Sequence, residues 1–142
     1  MPHVPSALLA SLPCHTGICE AHAAVGFLIV AGWLVMFAWV VAAQWIVRRE
    51  PGPWFWRLLA LLQGLLILQL VAGVTLLALG HRADSLLHYF YGAVFPAVVL
   101  VIAHVVARGL DDEADSWKVF AIASFFVFGL TLRALTTGLG LP

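Results

Sequence analysis

Charged residues are what this sequence has least of. Only 10% of its 142 residues are Asp, Glu, Lys or Arg, whereas 63% are hydrophobic, and the mean hydropathy is +1.05. That composition excludes a soluble globular domain and equally a disordered chain. The seven basic and seven acidic side chains cancel and form no basic patch, which excludes nucleic acid as a partner.

Four long apolar stretches make up most of the chain, at about residues 21–47, 54–79, 85–107 and 117–139. A helix of about 20 residues crosses the hydrocarbon core of a bilayer. In lipid such a stretch must satisfy its own backbone hydrogen bonds, which a helix does. The sequence therefore predicts an all-α integral membrane protein. We expect a single domain over residues 1–142, folded as an antiparallel four-helix transmembrane bundle in contact with membrane lipid.

The charges and tryptophans predict how the chain crosses the membrane. Its start has no basic region and is interrupted by prolines, unlike a cleaved signal peptide. Arg48, Arg49 and Arg57 crowd the first connection, which the positive-inside rule assigns to the cytoplasm. Four indole rings suited to headgroup anchoring lie at the same predicted ends: Trp45, Trp54, Trp56 and Trp117. We expect a multi-pass protein of the cell inner (plasma) membrane with both termini outside.

Cys14 and Cys19 lie in the N-terminal segment that this orientation places outside. Their spacing is not the Cys-x-x-Cys-His of covalent c-type haem attachment. Three interpretations of the pair stay open: a structural disulfide, two unpaired thiols, and a redox-active pair that passes electrons to a quinone.

Two histidines share a local pattern near the outer ends of their stretches. His22 is followed four residues later by Gly26, and His88 four residues later by Gly92. That spacing puts each glycine on the face of its histidine, where it leaves flat space for a macrocycle. The first and third helices of a bundle can face each other, so the two imidazoles are predicted axial ligands of a b-type haem iron. The alternative is that both histidines are interfacial residues whose rings reach the headgroups.

Two arginines are predicted to bind the haem propionates. Arg133 lies inside the fourth stretch, where an unpaired guanidinium would cost at least about 2.5 kcal/mol, so it needs an anionic partner. A propionate is the expected partner, with a lipid phosphate, Glu20 or Asp84 as the alternatives. Arg82, in the short outer connector, is placed to serve the other propionate. His104 lies too far along its helix to join the site and is expected to be a packed, hydrogen-bonding residue.

A motif on the second and third stretches carries a family resemblance. Gln69 is followed four residues later by Gly73, and after a short connector comes the pair Leu87-His88. This pattern resembles one four-helix half of the haem A synthase family, whose halves each hold a haem between histidines of alternate helices. The outer cysteine pair is a further similarity. The resemblance implies a b-type haem between His22 and His88.

The chain departs from that family around its first histidine. The family histidine is typically preceded three positions earlier by glutamate and followed by arginine, places that Cys19 and Ala23 hold here. The chain also contains one half of the family's paired architecture. The resemblance therefore implies haem ligation and does not imply haem oxidation chemistry.

These features together predict a small membrane b-type haem-binding protein, cytochrome b-like, for electron transport. It would hold one haem b near the outer face and act alone or as a subunit of a respiratory-chain complex. A quinone is the second candidate cofactor, and a larger membrane complex or a second copy in a homodimer is the candidate partner. Two alternatives come from other classes: a cofactor-free accessory or assembly subunit, and a quinone-linked thiol oxidoreductase. Enzymatic activity is left open, and no catalytic residue is assigned.

Overall fold

The structure is a computed structural model that describes residues 17–111 and 115–141. Most of these residues are helical, with no strand among them, and four of the helices are long and apolar enough to cross a membrane. We number these α1 to α4, and their bounds are Gly17–Val47, Pro53–Ala78, Leu86–Arg108 and Ser116–Gly138. The fold therefore confirms the prediction of an all-helical chain with four candidate membrane spans.

The helix bounds agree closely with those expected from the sequence. The ends of α2, α3 and α4 fall within one residue of the predicted ones. Helix α1 begins at Gly17, four residues before the predicted apolar stretch, and so includes Cys19 and Glu20. Ser85 caps α3 by accepting a hydrogen bond from the backbone N–H of Leu87 at 3.2 Å.

The helices pack in three neighbouring pairs. In the part of the chain that the structure describes, α1 packs closely against α2 and α4, and α4 packs against α3. Helices α2 and α3 are consecutive in the chain but are not closely packed against each other. The centre of the core is formed by Trp33 and Met36 of α1, Phe55 of α2 and Val127 of α4, all fully buried. The seam between α1 and α4 is therefore the middle of the structure.

Helix α4 buries three hydroxyl side chains, which donate hydrogen bonds to carbonyls of their own helix. Ser124 donates to Ala121, Thr131 to Val127 and Thr137 to Ala134, at 2.7 to 3.0 Å. A buried hydroxyl with no partner would be costly in an apolar core. Because these bonds stay within the helix, α4 can occupy the middle of the structure without polar partners on other helices.

Two π-helical turns interrupt the α-helices. One covers Phe90–Val94 in α3, directly before the segment that holds Pro96, a residue with no N–H to donate to the preceding turn. The other covers Ala43–Val47 and ends α1. The next residue, Arg48, has a φ of 52°, a left-handed conformation that costs a non-glycine residue about 1 kcal/mol.

Gly32 of α1 and Gly64 of α2 provide a matched test of the core packing. A Cβ at position 32 would lie 2.3 Å from Cδ2 of buried Leu62, whereas one at position 64 would meet nothing within 4 Å. We expect Gly32→Ala to lower the free energy of unfolding by about 1–3 kcal/mol through overpacking. Gly64→Ala should leave it unchanged or raise it, because alanine favours the helix. Unfolding of the detergent-solubilised protein by SDS, followed by circular dichroism, measures both, and equal effects would contradict the packing.

Candidate functional site

The structure brings His22 and His88 together. Their ring centroids lie 6.2 Å apart and the ring planes are inclined by 65°. His22 belongs to α1 and His88 to α3, helices that do not pack closely against each other. Two imidazoles therefore meet across the bundle, as the matching depths of the two residues in the sequence predict.

Each imidazole lies on a glycine of the helix that follows its own. A Cβ at Gly73 of α2 would come 3.2 Å from Cε1 of His22, and a Cβ at Gly138 of α4 would come 2.8 Å from Cε1 of His88. Real Cβ atoms are hardly ever closer than about 3 Å to another heavy atom, so a Cβ at Gly138 would force the His88 ring to move, whereas one at Gly73 would make a tight contact that a small shift of the His22 ring could relieve. The pair α1–α2 and the pair α3–α4 thus repeat the same arrangement, a histidine of the first helix on a glycine of the second.

The hydrogen bonds of the two rings differ. Nδ1 of His88 lies 2.9 Å from the backbone oxygen of Ala134. Because a carbonyl only accepts, Nδ1 carries the proton in this bond and Nε2 of His88 keeps its lone pair free for a ligand. Nδ1 of His22 is buried and has no partner among the described residues. Gln69 donates from Nε2 to the backbone oxygen of His22 at 2.8 Å, which holds α1 and α2 together beside the ring.

Comparisons with family models, curated proteins and solved structures found no match for this chain. The resemblance to the haem A synthase family remains a prediction from the sequence. The geometry of the two imidazoles and their surroundings is therefore the evidence on what this site binds.

Gly26 and Gly92, which the sequence places beside the histidines, lie against other groups. A Cβ at Gly26 would be 3.3 Å from the Gln69 amide nitrogen and 3.7 Å from Leu135, and a Cβ at Gly92 would be 3.5 Å from that of Ala134. Gly26 therefore allows α2 to approach closely beside His22, whereas a Cβ at position 92 would make only an ordinary van der Waals contact with α4. Their role in leaving space for a macrocycle stays a prediction.

The two predicted propionate ligands have exposed side chains. Arg133 directly precedes Ala134, whose carbonyl holds His88, and Arg82 lies in the connector between α2 and α3. Among the described residues Arg133 forms no ion pair with Glu20 or Asp84. Those two alternative partners are therefore not supported, whereas a propionate and a lipid phosphate stay predictions.

The remaining sequence-predicted residues lie outside the histidine pair. Cys19 is disulfide-bonded, so the interpretation of two unpaired thiols is wrong, and Cys14 lies outside the described residues. Nδ1 of His104 lies 2.8 Å from the backbone oxygen of Leu100, and its ring centroid is 4.9 Å from that of Phe120. His104 is therefore the packed, hydrogen-bonding residue that the sequence predicts.

Three residues that contact the two rings were not predicted as site residues. Gly73 belongs to the Gln69–Gly73 pattern of the family resemblance, and Gly138 is the last residue of α4. The carbonyl of Ala134 carries no signal in the sequence, because every residue has one. Contact between a histidine and a glycine of another helix depends on how the helices are aligned. Periodicity within one helix does not determine that alignment.

Two glutamines of α2 form a matched pair for testing the support of His22. Gln69→Leu removes the hydrogen bond to the His22 carbonyl and should lower the free energy of unfolding by about 1 kcal/mol. The amide nitrogen of Gln63 is buried with no partner, so Gln63→Leu should be neutral or stabilising. Thermal unfolding of both variants in the same detergent measures the difference. A Gln63→Leu variant that loses as much stability would contradict the assignment.

Proposed function

We propose that this chain is a small integral membrane protein, an antiparallel four-helix bundle, that binds one haem b between His22 and His88 and serves electron transfer. The observation that carries the proposal is the pair of imidazoles held 6.2 Å apart across the bundle. A haem iron with six ligands takes four nitrogens from the macrocycle, and two imidazoles would supply the remaining two.

The spacing of the rings fits that role. An iron held by both residues would be bound by one nitrogen of each imidazole, and the 6.2 Å between the ring centroids would leave room for one ion between the rings. Nε2 of His88 is free to ligate because Nδ1 is held by the Ala134 carbonyl, a support of the kind that fixes the orientation of metal-bound histidines. The buried Nδ1 of His22 has no hydrogen-bond partner among the described residues, which is unfavourable. A ligand bound by this imidazole would therefore meet a ring that no other described group of the bundle engages through that nitrogen.

Haem iron, when bound, supplies a reversible one-electron couple. The chain's own residues position the imidazoles: Gly73 and Gly138 give the rings their space, and the Ala134 carbonyl orients His88. Arg133 and Arg82 are proposed to bind the propionates through charge-assisted hydrogen bonds.

The charges near the opposite end support the proposed orientation in the inner membrane. Arg48, Arg49 and Arg57 lie around the connector from α1 to α2, at the far end of α1 from His22, and mark the cytoplasmic side. Trp45 and Trp54 at the same end are 77% and 65% exposed, as headgroup anchors would be. The haem would then lie near the outer face, where it could exchange electrons with a quinol, an outer carrier or a partner subunit.

Substitution of the two histidines tests the haem proposal. We expect the wild-type protein, produced with ample haem and purified, to show the reduced α-band of a bis-histidine b-type haem after dithionite. His22→Ala and His88→Ala should each abolish that spectrum, because one axial ligand does not complete the low-spin centre. His104→Ala is the matched control and should keep the spectrum, since His104 lies far from the pair and bonds to Leu100.

An absent α-band in the wild-type protein would refute the haem proposal and favour the cofactor-free accessory subunit. Circular dichroism and size-exclusion chromatography of each variant show whether the bundle still folds. Loss of the spectrum in a folded variant then reports on ligation alone.

Substitution of Arg133 tests the propionate assignment. A cation beside a propionate favours the reduced haem, which carries one positive charge less, so Arg133→Gln should lower the midpoint potential by tens of millivolts. Arg133→Lys should keep the midpoint potential close to that of the wild type, because lysine retains the cation. Arg57, whose guanidinium lies 4.6 Å from the Trp54 ring centroid at the other end of the bundle, is the control, and Arg57→Gln should leave the potential unchanged. Redox titration followed at the α-band measures all three. An unchanged potential in Arg133→Gln would exclude the propionate role.

A further inference from the structure

A groove runs along the α1–α4 seam at the end of the bundle opposite the histidine pair. Its volume is about 380 Å³, and its apolar walls come from Phe37 and Val41 of α1 and from Ile122 and Phe125 of α4. These side chains are hydrophobic along the length of the groove, which suits a hydrocarbon chain.

The groove adjoins a second, polar cavity of about 370 Å³ at the end of α1 and the start of α4. Gln44, Trp117 and Lys118 line both cavities, so the apolar groove and the polar cavity are adjacent. The remaining lining of the polar cavity comes from Arg48, Arg49, Glu50 and Asp115. The two cavities together present an apolar channel with a charged mouth, the shape of a site for an amphiphile.

The charges of this mouth favour an anion. Three cationic side chains and two carboxylates line it. Lys118 forms an ion pair with Asp115, whereas Arg48 and Arg49 have no ion-pair partner among the described residues. Guanidinium groups bind phosphate oxygens bidentately, so two unpaired arginines suit a phosphodiester.

Trp117 lies where the two cavities meet, because it lines both of them. Although the sequence predicts an exposed headgroup anchor, the side chain is only 6% exposed, and its indole N–H has no partner in the described part of the chain. The ring of Trp117 therefore forms a fixed wall where the two cavities meet.

We propose that this groove is a binding site for an anionic phospholipid, with an acyl chain along α1 and α4 and the phosphodiester at Arg48, Arg49 and Lys118. The apolar groove matches the chain, and the net positive mouth matches the phosphate. The proposal rests on the membrane insertion and orientation proposed above, which place this end at the cytoplasmic leaflet, where anionic lipids attract cationic side chains. It does not depend on haem.

The test uses purified full-length protein in neutral detergent and short-chain (dioctanoyl) phosphatidylglycerol, with binding followed by native mass spectrometry. We expect saturable binding of phosphatidylglycerol and much weaker binding of the matching phosphatidylcholine. The double variant Arg48→Gln/Arg49→Gln should bind phosphatidylglycerol roughly 10- to 30-fold more weakly, at about a kcal/mol for each cation removed. Arg57→Gln, which removes a cation from the same connector region outside the groove, should bind like the wild type.

A second variant tests the groove without changing any charge. Ile122 is 64% exposed and lines the groove, so Ile122→Trp fills it with little risk to the core. It should weaken phosphatidylglycerol binding while leaving the weak binding of inorganic phosphate unchanged.

Three results would overturn the proposal. Equal binding of both lipids would remove the charge selectivity, and equal binding by the Arg48→Gln/Arg49→Gln and Arg57→Gln variants would place the headgroup elsewhere. Binding of a short-chain quinone in preference to phosphatidylglycerol would make this a quinone site. The absorption spectrum of the same samples reports on haem separately, so failure of the lipid site and failure of the haem proposal are distinguishable.

Discussion

The close packing of α1 against α4 is the contact on which the other features of this structure depend. Trp33 and Met36 on one side and Val127 on the other are fully buried at this seam. Helix α2 is attached through α1, and α3 is attached through α4, while α2 and α3 are not closely packed. The two histidines lie near one end of the seam and the amphiphilic groove lies near the other. A disturbance of this seam would therefore reach both proposed sites.

Polar groups divide into two classes in this apolar bundle. The hydroxyls of Ser124, Thr131 and Thr137 are satisfied within their own helix, and the structure needs nothing further from them. In contrast, five buried nitrogen and oxygen atoms have no partner among the described residues: Nδ1 of His22, the indole nitrogens of Trp33 and Trp117, Nε2 of Gln63 and Oε1 of Gln69. Unsatisfied buried groups are rare in native proteins because each is costly. Of these five residues, His22 and Trp117 belong to the two proposed sites.

Sequence reasoning predicted the helices well because their cause is local. The length of an apolar stretch determines a span, and the charged or proline-rich connectors determine its ends. The helix α1 begins before its apolar stretch because a first helical turn accommodates an acidic side chain, here that of Glu20. The meeting of His22 and His88 was also predictable, because equal depth in alternate helices is readable from the sequence.

The groups around the histidines were less predictable, because they depend on contacts between helices. Gly73 and Gly138 support the rings only through the alignment of each helix with its neighbour, and the carbonyl of Ala134 is not distinguished by its residue type. Trp117 was expected at the headgroups from its position at a helix end, but the rotation of α4 turns it into the core. Depth along a span was readable from the sequence, whereas rotation about the helix axis was not.

The division of the histidine pair between two pairs of helices has a consequence for assembly. The pair α1–α2 holds His22 on Gly73, and the pair α3–α4 holds His88 on Gly138 and on the carbonyl of Ala134. Each pair thus contributes one imidazole, and the imidazoles face each other only when the two pairs are packed together. A molecule that bound both imidazoles would favour the packed state by mass action, so its binding energy would appear as stability of the whole bundle. The folded state and the complete site would then form in the same step.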